Sequence, residues 1–283
     1  VSAGGTETGI ALRDGAGNFG GSSLATDNGP TITVNTGAGT FTIVKANFDV
    51  IRQAVVSGQA FVQTGGAGVV MRDPSGIQYT SANDGASTAV IEENGPVKAV
   101  IRATGSLKNS SGVRLMDYTV RLYFHAGKAY VKSTVALRNA AQGTENPISF
   151  SSARVDLPLA LGGTRSFSLG VQGQSPVTRS FSGTETAYLF QAATRLAGPD
   201  NYNWSTPPMQ RAGGGSWDFI QQGLQVVHGS TTVVPLSTVD ATPAAGWGEL
   251  RDGSGKGVTT SKVWPSGKRT PPTITSQNSS PSK

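Results

Sequence analysis

The sequence predicts an all-β protein, and three observations carry that expectation. Apolar and polar residues alternate in short segments along most of the chain. No segment sustains the i, i+3, i+4, i+7 apolar pattern of a capped helix. Clusters of Gly, Pro, Asn and Asp separate the alternating segments at short intervals. A side-chain period of two places alternate residues on opposite faces of a strand, so such segments bury one face and wet the other.

The elements follow in order. Thr31 to Val34 and Thr40 to Lys45 bracket the turn TGAG. Phe48 to Val56, Gly58 to Gln63, Gly68 to Arg72 and Ile77 to Ser81 read as short strands, separated by Ser57-Gly58, Gly65-Gly66 and the turn Asp73-Pro74-Ser75-Gly76. In TAVIEENGPVKAVIRATGSL, Thr88 to Leu107, one strand runs into Asn94-Gly95. A second leaves it with Val97, Ala99, Ile101 and Ala103 on one face, and Lys98, Arg102 and Thr104 among the intervening positions. Met116 to His125 sets Tyr118, Val120, Leu122 and Phe124 against Thr119, Arg121, Tyr123 and His125. After Ala126-Gly127-Lys128, Val131, Ser133, Val135 and Leu137 oppose Lys132, Thr134 and Arg138. These four strands form an antiparallel meander with one core face.

Strand patterns continue at Ile148 to Leu161, Ser166 to Val171, Thr178 to Phe181, Thr186 to Ala192, Trp217 to Ile220, Gly223 to Val227 and Thr231 to Pro235. Gly198 to Gly215 is the longest loop. A last hairpin runs from Gly246 to Arg251, turns at Asp252-Gly253-Ser254-Gly255, and returns over Gly257 to Val263. Residues 266–283 have no periodicity and are expected to form a disordered tail.

Composition narrows the chemistry. The 283 residues contain no cysteine, which removes disulfides, thiolate nucleophiles and Cys-ligated metals. Only 14% of residues are charged, and Gly (38), Ser and Thr are abundant, a balance that suits an extracellular or cell-surface β protein. The formal charge is +6, but five of the 23 bases (Lys256, Lys262, Lys268, Arg269 and Lys283) lie beyond Asp252, the last acidic residue. The body is close to neutral, so no nucleic-acid partner is expected. No apolar run of about 20 residues exists, so no membrane span is expected. The chain opens on Val1, which reads as a processed end or as part of a longer protein.

Few residues carry chemical signals. Gly15 to Gly20, GAGNFG, satisfies GxGxxG, but no helix pattern follows to receive a phosphate, and the stretch reads as a Gly-rich loop. His125 and His228 are the two histidines. His125 shares a strand face with Tyr123 and Arg121, so the three are acid/base candidates, with an exposed strand-end histidine as the alternative. His228 precedes Gly229 in an expected turn. Two histidines without a carboxylate motif call for no metal, and no cofactor is expected. Tyr202, Trp204, Arg211 and Trp217 group around the long loop as ligand-contact candidates, since aromatic rings stack on sugars and Arg holds carboxylates. For Trp217 and Trp247 a place in the core is the favoured reading.

The ordered segments ITVNTGAGTFTIVK, VVSGQAFV, GGAGVVMRDPSGIQYTS, IEENGPVKAVIRATGSL, YTVRLYFHAGKAYVKSTVALRN and GWGELRDGSGKGV together resemble the non-catalytic β portion of the rhamnogalacturonan exolyase-like (PcRGLX/YetA-like) family, over about Thr31 to Val263. The resemblance implies a partial RIFT-barrel-like N-terminal β domain over 1–85 and a large antiparallel β-sandwich over 86–265. On that resemblance this sequence is expected to lack the barrel's first strands and the family's α/α toroid, and Asn35 stands where an acidic residue is expected. The resemblance therefore implies a non-catalytic scaffold associated with an acidic polysaccharide. Two alternatives stand beside it: a structural protein that self-associates through exposed strand edges, and an active polysaccharide lyase completed by parts not in this chain.

Overall fold

The computed structural model describes residues 21–139, 148–171, 175–181, 187–191, 224–228, 231–234 and 244–261. All of its regular elements are β-strands apart from one 3₁₀ turn at Ser81–Asn83, so the all-β expectation holds. The tail at 266–283 lies outside the described residues. The chain divides into two compact units, Val1–Ala160 and Leu161–Lys283. Residue 85, where the sequence places a domain change, falls inside the first unit.

The first unit has two antiparallel sheets. One runs in the order β1 (Ala25–Asp27), β2 (Thr31–Asn35), β3 (Gly39–Val44), β4 (Gln53–Val56) and β5 (Gln59–Val62). The other is built from β6 (Gly68–Arg72), β7 (Gln78–Thr80), β8 (Thr88–Asn94), β9 (Lys98–Lys108), β10 (Arg114–His125), β11 (Lys132–Arg138) and β12 (Ser152–Asp156). Its order is β11-β10-β9-β7-β6-β12, with β8 also pairing on β9. The alternation seen in the sequence becomes a shared core: Ile32, Val34, Phe41 and Ile43 from the first sheet join Ile101, Tyr118, Val120, Leu122 and Phe124 from the second. Phe41 meets Phe124 at 5.2 Å between ring centroids, and Phe48 stacks on Tyr118 at 5.9 Å. Two sheets facing one core in this way form a β-sandwich.

Polar contacts tie the sheets together. Asn94 acts like a strand residue: its amide accepts from Ala25 N–H (2.9 Å) and donates to Ala25 C=O (2.8 Å). Thr36, in the TGAG turn, donates its hydroxyl to Lys128 C=O (2.7 Å), while Gly127 N–H donates to Thr36 C=O (2.6 Å). The chain after β3 departs from the strand expected over Phe48 to Val56. Phe48 to Arg52 does not continue a strand into β4, because Val50 has φ 71° and Ile51 N–H reaches back to Asp49 C=O at 3.0 Å. That is a γ-turn of the rare strained hand, held at a β-branched residue by the buried Phe48 and Asp49 on its N-terminal side.

In the second unit, β13 (Arg165–Val171) and β14 (Val177–Phe181) join a four-stranded antiparallel sheet. β15 (Ala187–Gln191), β16 (Leu224–His228) and β17 (Thr231–Val234) form a three-stranded one. The last hairpin, β18 (Ala244–Asp252) and β19 (Gly257–Ser261), completes the first of these in the order β14-β13-β18-β19. Its turn is where the sequence places it, with Gly255 at φ 87°. Trp247 lies over Gly170, a position where any side chain would strike the indole. His228 ends β16 and is paired with Ala187.

Candidate functional site

The outer face of the seven-stranded sheet carries the polar half of the alternation. Along β10 it presents Asp117, Thr119, Arg121, Tyr123 and His125, flanked by Thr104, Arg102 and Lys98 of β9 and by Arg138, Ala136, Thr134 and Lys132 of β11. Arg121 and Arg102 sit directly opposite each other, a repulsive pairing in an antiparallel ladder. Glu92 resolves it. It accepts from Arg121 through both oxygens (2.6 and 3.0 Å) and stands 3.1 Å from Arg102 Nε. A β-bulge makes this possible: Ile91 pairs with Ile101 and Glu93 with Val100, so Glu92 is the extra residue. Both consecutive glutamates then lie near cations, Glu93 at 2.8 Å from Lys98. Hydrogen bonding from Arg121 holds the Glu92 carboxyl below its usual range and raises Arg121 in return.

The three acid/base candidates share this row, with successive outward residues about 7 Å apart along a strand. Each faces a different neighbour. Arg121 is held by Glu92, the Lys132 ammonium lies 5.4 Å from the centre of the Tyr123 ring, and His125 packs at 5.8 Å from Tyr130. Tyr202, Trp204, Arg211 and Trp217 lie outside the described residues.

A second cluster on the same face is absent from the sequence reading. Here Thr104, Ser106, Arg114, Asp117, Thr119 and Arg138 surround a shallow depression of about 640 Å³, with the short side chain of Ala136 also lining it. Asp117 is its centre. Its Oδ2 is approached by Arg114 Nη2 (2.6 Å) and Arg138 Nη2 (2.8 Å), and its Oδ1 accepts from the Ser106 hydroxyl (2.8 Å). Burial pushes the Asp117 carboxyl up, but the bonds from Arg138, Ser106 and Arg114 outweigh it and keep the group ionised below its ordinary range. Arg114 reaches this face through a bulge. Strict alternation would send it inward with Met116 and Tyr118, but Arg114 pairs with Lys108 and Met116 with Leu107. Leu115 is thus the extra residue, and Arg114 is turned over. The one sequence signal was Asp117 itself, an acid in phase with Thr119 and Arg121.

Beneath the sheet, Asp84 is 2% exposed and binds Lys108 Nζ (2.8 Å), Ser106 N–H (2.7 Å) and Ala86 N–H (3.1 Å). β8 pairs with β9 only as far as Thr104, so the Asp84 carboxylate takes the place of a strand for Ser106 N–H. Gly105 leaves the room: a Cβ there would lie 2.7 Å from both Asp84 Oδ2 and the Tyr118 hydroxyl. Among the described residues no group of three or more His, Asp or Glu is placed to hold a metal ion, and no helix is long and apolar enough to cross a membrane.

Residues 24–160 match the family model of the PcRGLX-like protein central beta sandwich domain. Among curated proteins nothing matches the chain.

Proposed function

We propose, taking residues 24–160 as a PcRGLX-like central beta sandwich domain, that this chain is a non-catalytic β scaffold of a polysaccharide-lyase-like protein, extracellular, and in contact with an acidic glycan across the outer face of its larger sheet. The observation that carries the reading is a repeated ratio on that face: two arginines to one carboxylate, at Glu92 with Arg102 and Arg121, and again at Asp117 with Arg114 and Arg138. Such a surface favours a weakly charged polyanion and contributes little net repulsion when empty. Elimination from a uronic acid needs a base and a carboxylate stabiliser converging on one sugar. Arg121, Tyr123 and His125 each serve another neighbour, which favours the non-catalytic reading.

The test has two readouts. With rhamnogalacturonan or another polyuronate, the chain should bind in a manner weakened by salt, and should generate none of the far-ultraviolet absorbance of unsaturated uronates. Absorbance that grows with time and vanishes in His125→Ala would establish a lyase.

The self-assembly reading draws on one feature. β11 is an edge strand whose seven residues are all exposed, and among the described residues it pairs with β10 alone. Sedimentation of the chain as a monomer at high concentration would remove it.

A further inference from the structure

We infer that the depression around Asp117 is a carboxylate-binding subsite in which Arg114 and Arg138 together grip one acid group of a sparsely charged oligosaccharide. This deepens the glycan reading above and rests on it.

The two arginine pairs on the face are not equivalent. At Glu92, both carboxylate oxygens are taken up by the two-pronged grip of Arg121, and Arg102 closes on one of them. That carboxylate has both oxygens occupied, and the two-pronged grip of Arg121 leaves its guanidinium fewer donors for a further anion. At Asp117, both guanidiniums converge on the same oxygen, Oδ2, while the other oxygen is held by Ser106. A guanidinium has five N–H donors in a planar array, so an arginine bound at one nitrogen retains donors for a second anion.

Exposure sets the direction of that second approach. The Asp117 side chain is 15% exposed, whereas Arg138 is 78% exposed and Arg114 46%. The carboxylate sits low and the arginines rise around it. Asp117 acts as a positioning residue, fixing both cations at one point while cancelling only one of their charges. The surplus of one positive charge lies at the mouth of the depression.

The remaining lining limits the ligand. Thr104 and Thr119 face each other across β9 and β10 and offer hydroxyls, and Ala136 beside Thr119 leaves space for a ring to approach the sheet. Glu92 lies on the same face, on the far side of Arg121 and Arg102. A densely charged chain such as a nucleic acid needs several phosphate partners in succession, whereas each arginine pair on this face keeps one surplus charge. A glycan with an acid on only some of its sugars places one carboxylate on the arginines and hydroxyls on the threonines. The signature is therefore a uronic acid within an otherwise neutral chain.

Titration calorimetry of the full chain tests this with an alternating uronic acid and neutral sugar oligosaccharide and its carboxyl-reduced counterpart. The acidic form should bind and the reduced form should not. Arg138→Ala, at an exposed edge-strand position, should weaken binding about tenfold, and Arg138→Lys should restore only part of it, because an ammonium lacks the planar donor array. Lys45→Ala, on the other sheet and paired with Asp27, removes the same charge and should change affinity by less than about twofold. Thermal melts of each variant verify folding. Should Arg114→Ala fail to fold, the exposed Arg138 variants decide alone. Undiminished binding in Arg138→Ala overturns the subsite and leaves the glycan reading standing. Equal binding of the reduced oligosaccharide also overturns it, since the carboxylate then plays no part. No binding of the acidic form to the unaltered chain removes the glycan reading and the subsite together.

Discussion

Asp84→Ala should lower the stability of the first unit by about 2 to 4 kcal/mol, because it removes a buried carboxylate that serves two backbone N–H groups and a half-buried ammonium. The substitution leaves the half-buried Lys108 ammonium without its anion and takes from the Ser106 and Ala86 N–H groups the carboxylate they share. Asp84→Asn, which keeps an acceptor oxygen, should lose less. Urea unfolding of the full chain, followed by circular dichroism, measures both. An Asp84→Ala midpoint equal to that of the unaltered chain would mean that water replaces the carboxylate at no penalty.

The same carboxylate fixes a pH dependence. Burial raises Asp84, but hydrogen bonds from Lys108, Ser106 and Ala86 prevail and hold it below the ordinary value of 3.8. A depressed acid contributes stability that is fully present above its unfolded value and is lost as pH falls through its folded one. Asp117 and Glu92 act in the same direction. Asp49 acts in the opposite one, since burial raises it against the pull of Arg52. Its folded form holds the proton more tightly, so its contribution grows as pH falls through its raised folded value toward 3.8. Stability should therefore rise slightly on mild acidification and then fall below about pH 4. In Asp84→Asn the final fall should be shallower.

Gly68→Ala should be of similar severity, about 4 kcal/mol, from two sources that act together. Gly68 has φ 73°, a conformation that disfavours any side chain. A Cβ there would also stand 2.8 Å from Phe48 C=O and would strike the Ser81 hydroxyl. That hydroxyl donates to Phe48 C=O (2.6 Å) and accepts from Val69 N–H (2.9 Å), so displacing it opens the connection between β3 and β4. Gly58→Ala separates the two sources: Gly58 has φ 75° with nothing within 4 Å of the added atom. It should lose about 1 kcal/mol from strain alone. Equal losses at the two positions would show that crowding at Gly68 is relieved by local movement.

Much of the fold is legible in local pattern. The turn at Asp73 to Gly76 forms as expected, closed by Gly76 N–H to Asp73 C=O at 3.0 Å. β10 alternates as read, with Tyr118, Val120, Leu122 and Phe124 buried. The first half of the expected strand from Phe48 to Val56 defeats the same reasoning, because Phe48, Val50 and Ile51 are buried by a strained turn, and the strand begins only at Gln53. Period-two reasoning knows which residues want burial, and not which backbone conformation delivers it.

The sequence by itself determined that this is an antiparallel β protein with a near-neutral body, and it determined which face of β10 is polar. Those properties follow from composition and from the two-residue period of an extended chain, both of which are local. The tertiary structure alone decided that Arg114 leaves the core face through the bulge at Leu115, that Glu92 is extruded between two opposed arginines, and that Arg138 meets Asp117 across strand pairing. A bulge reverses the facing of the strand residues on one side of it, and register is set by contacts between strands rather than along them. The candidate subsite therefore depends on a one-residue register shift, a quantity that hydrophobic alternation along a single strand does not contain.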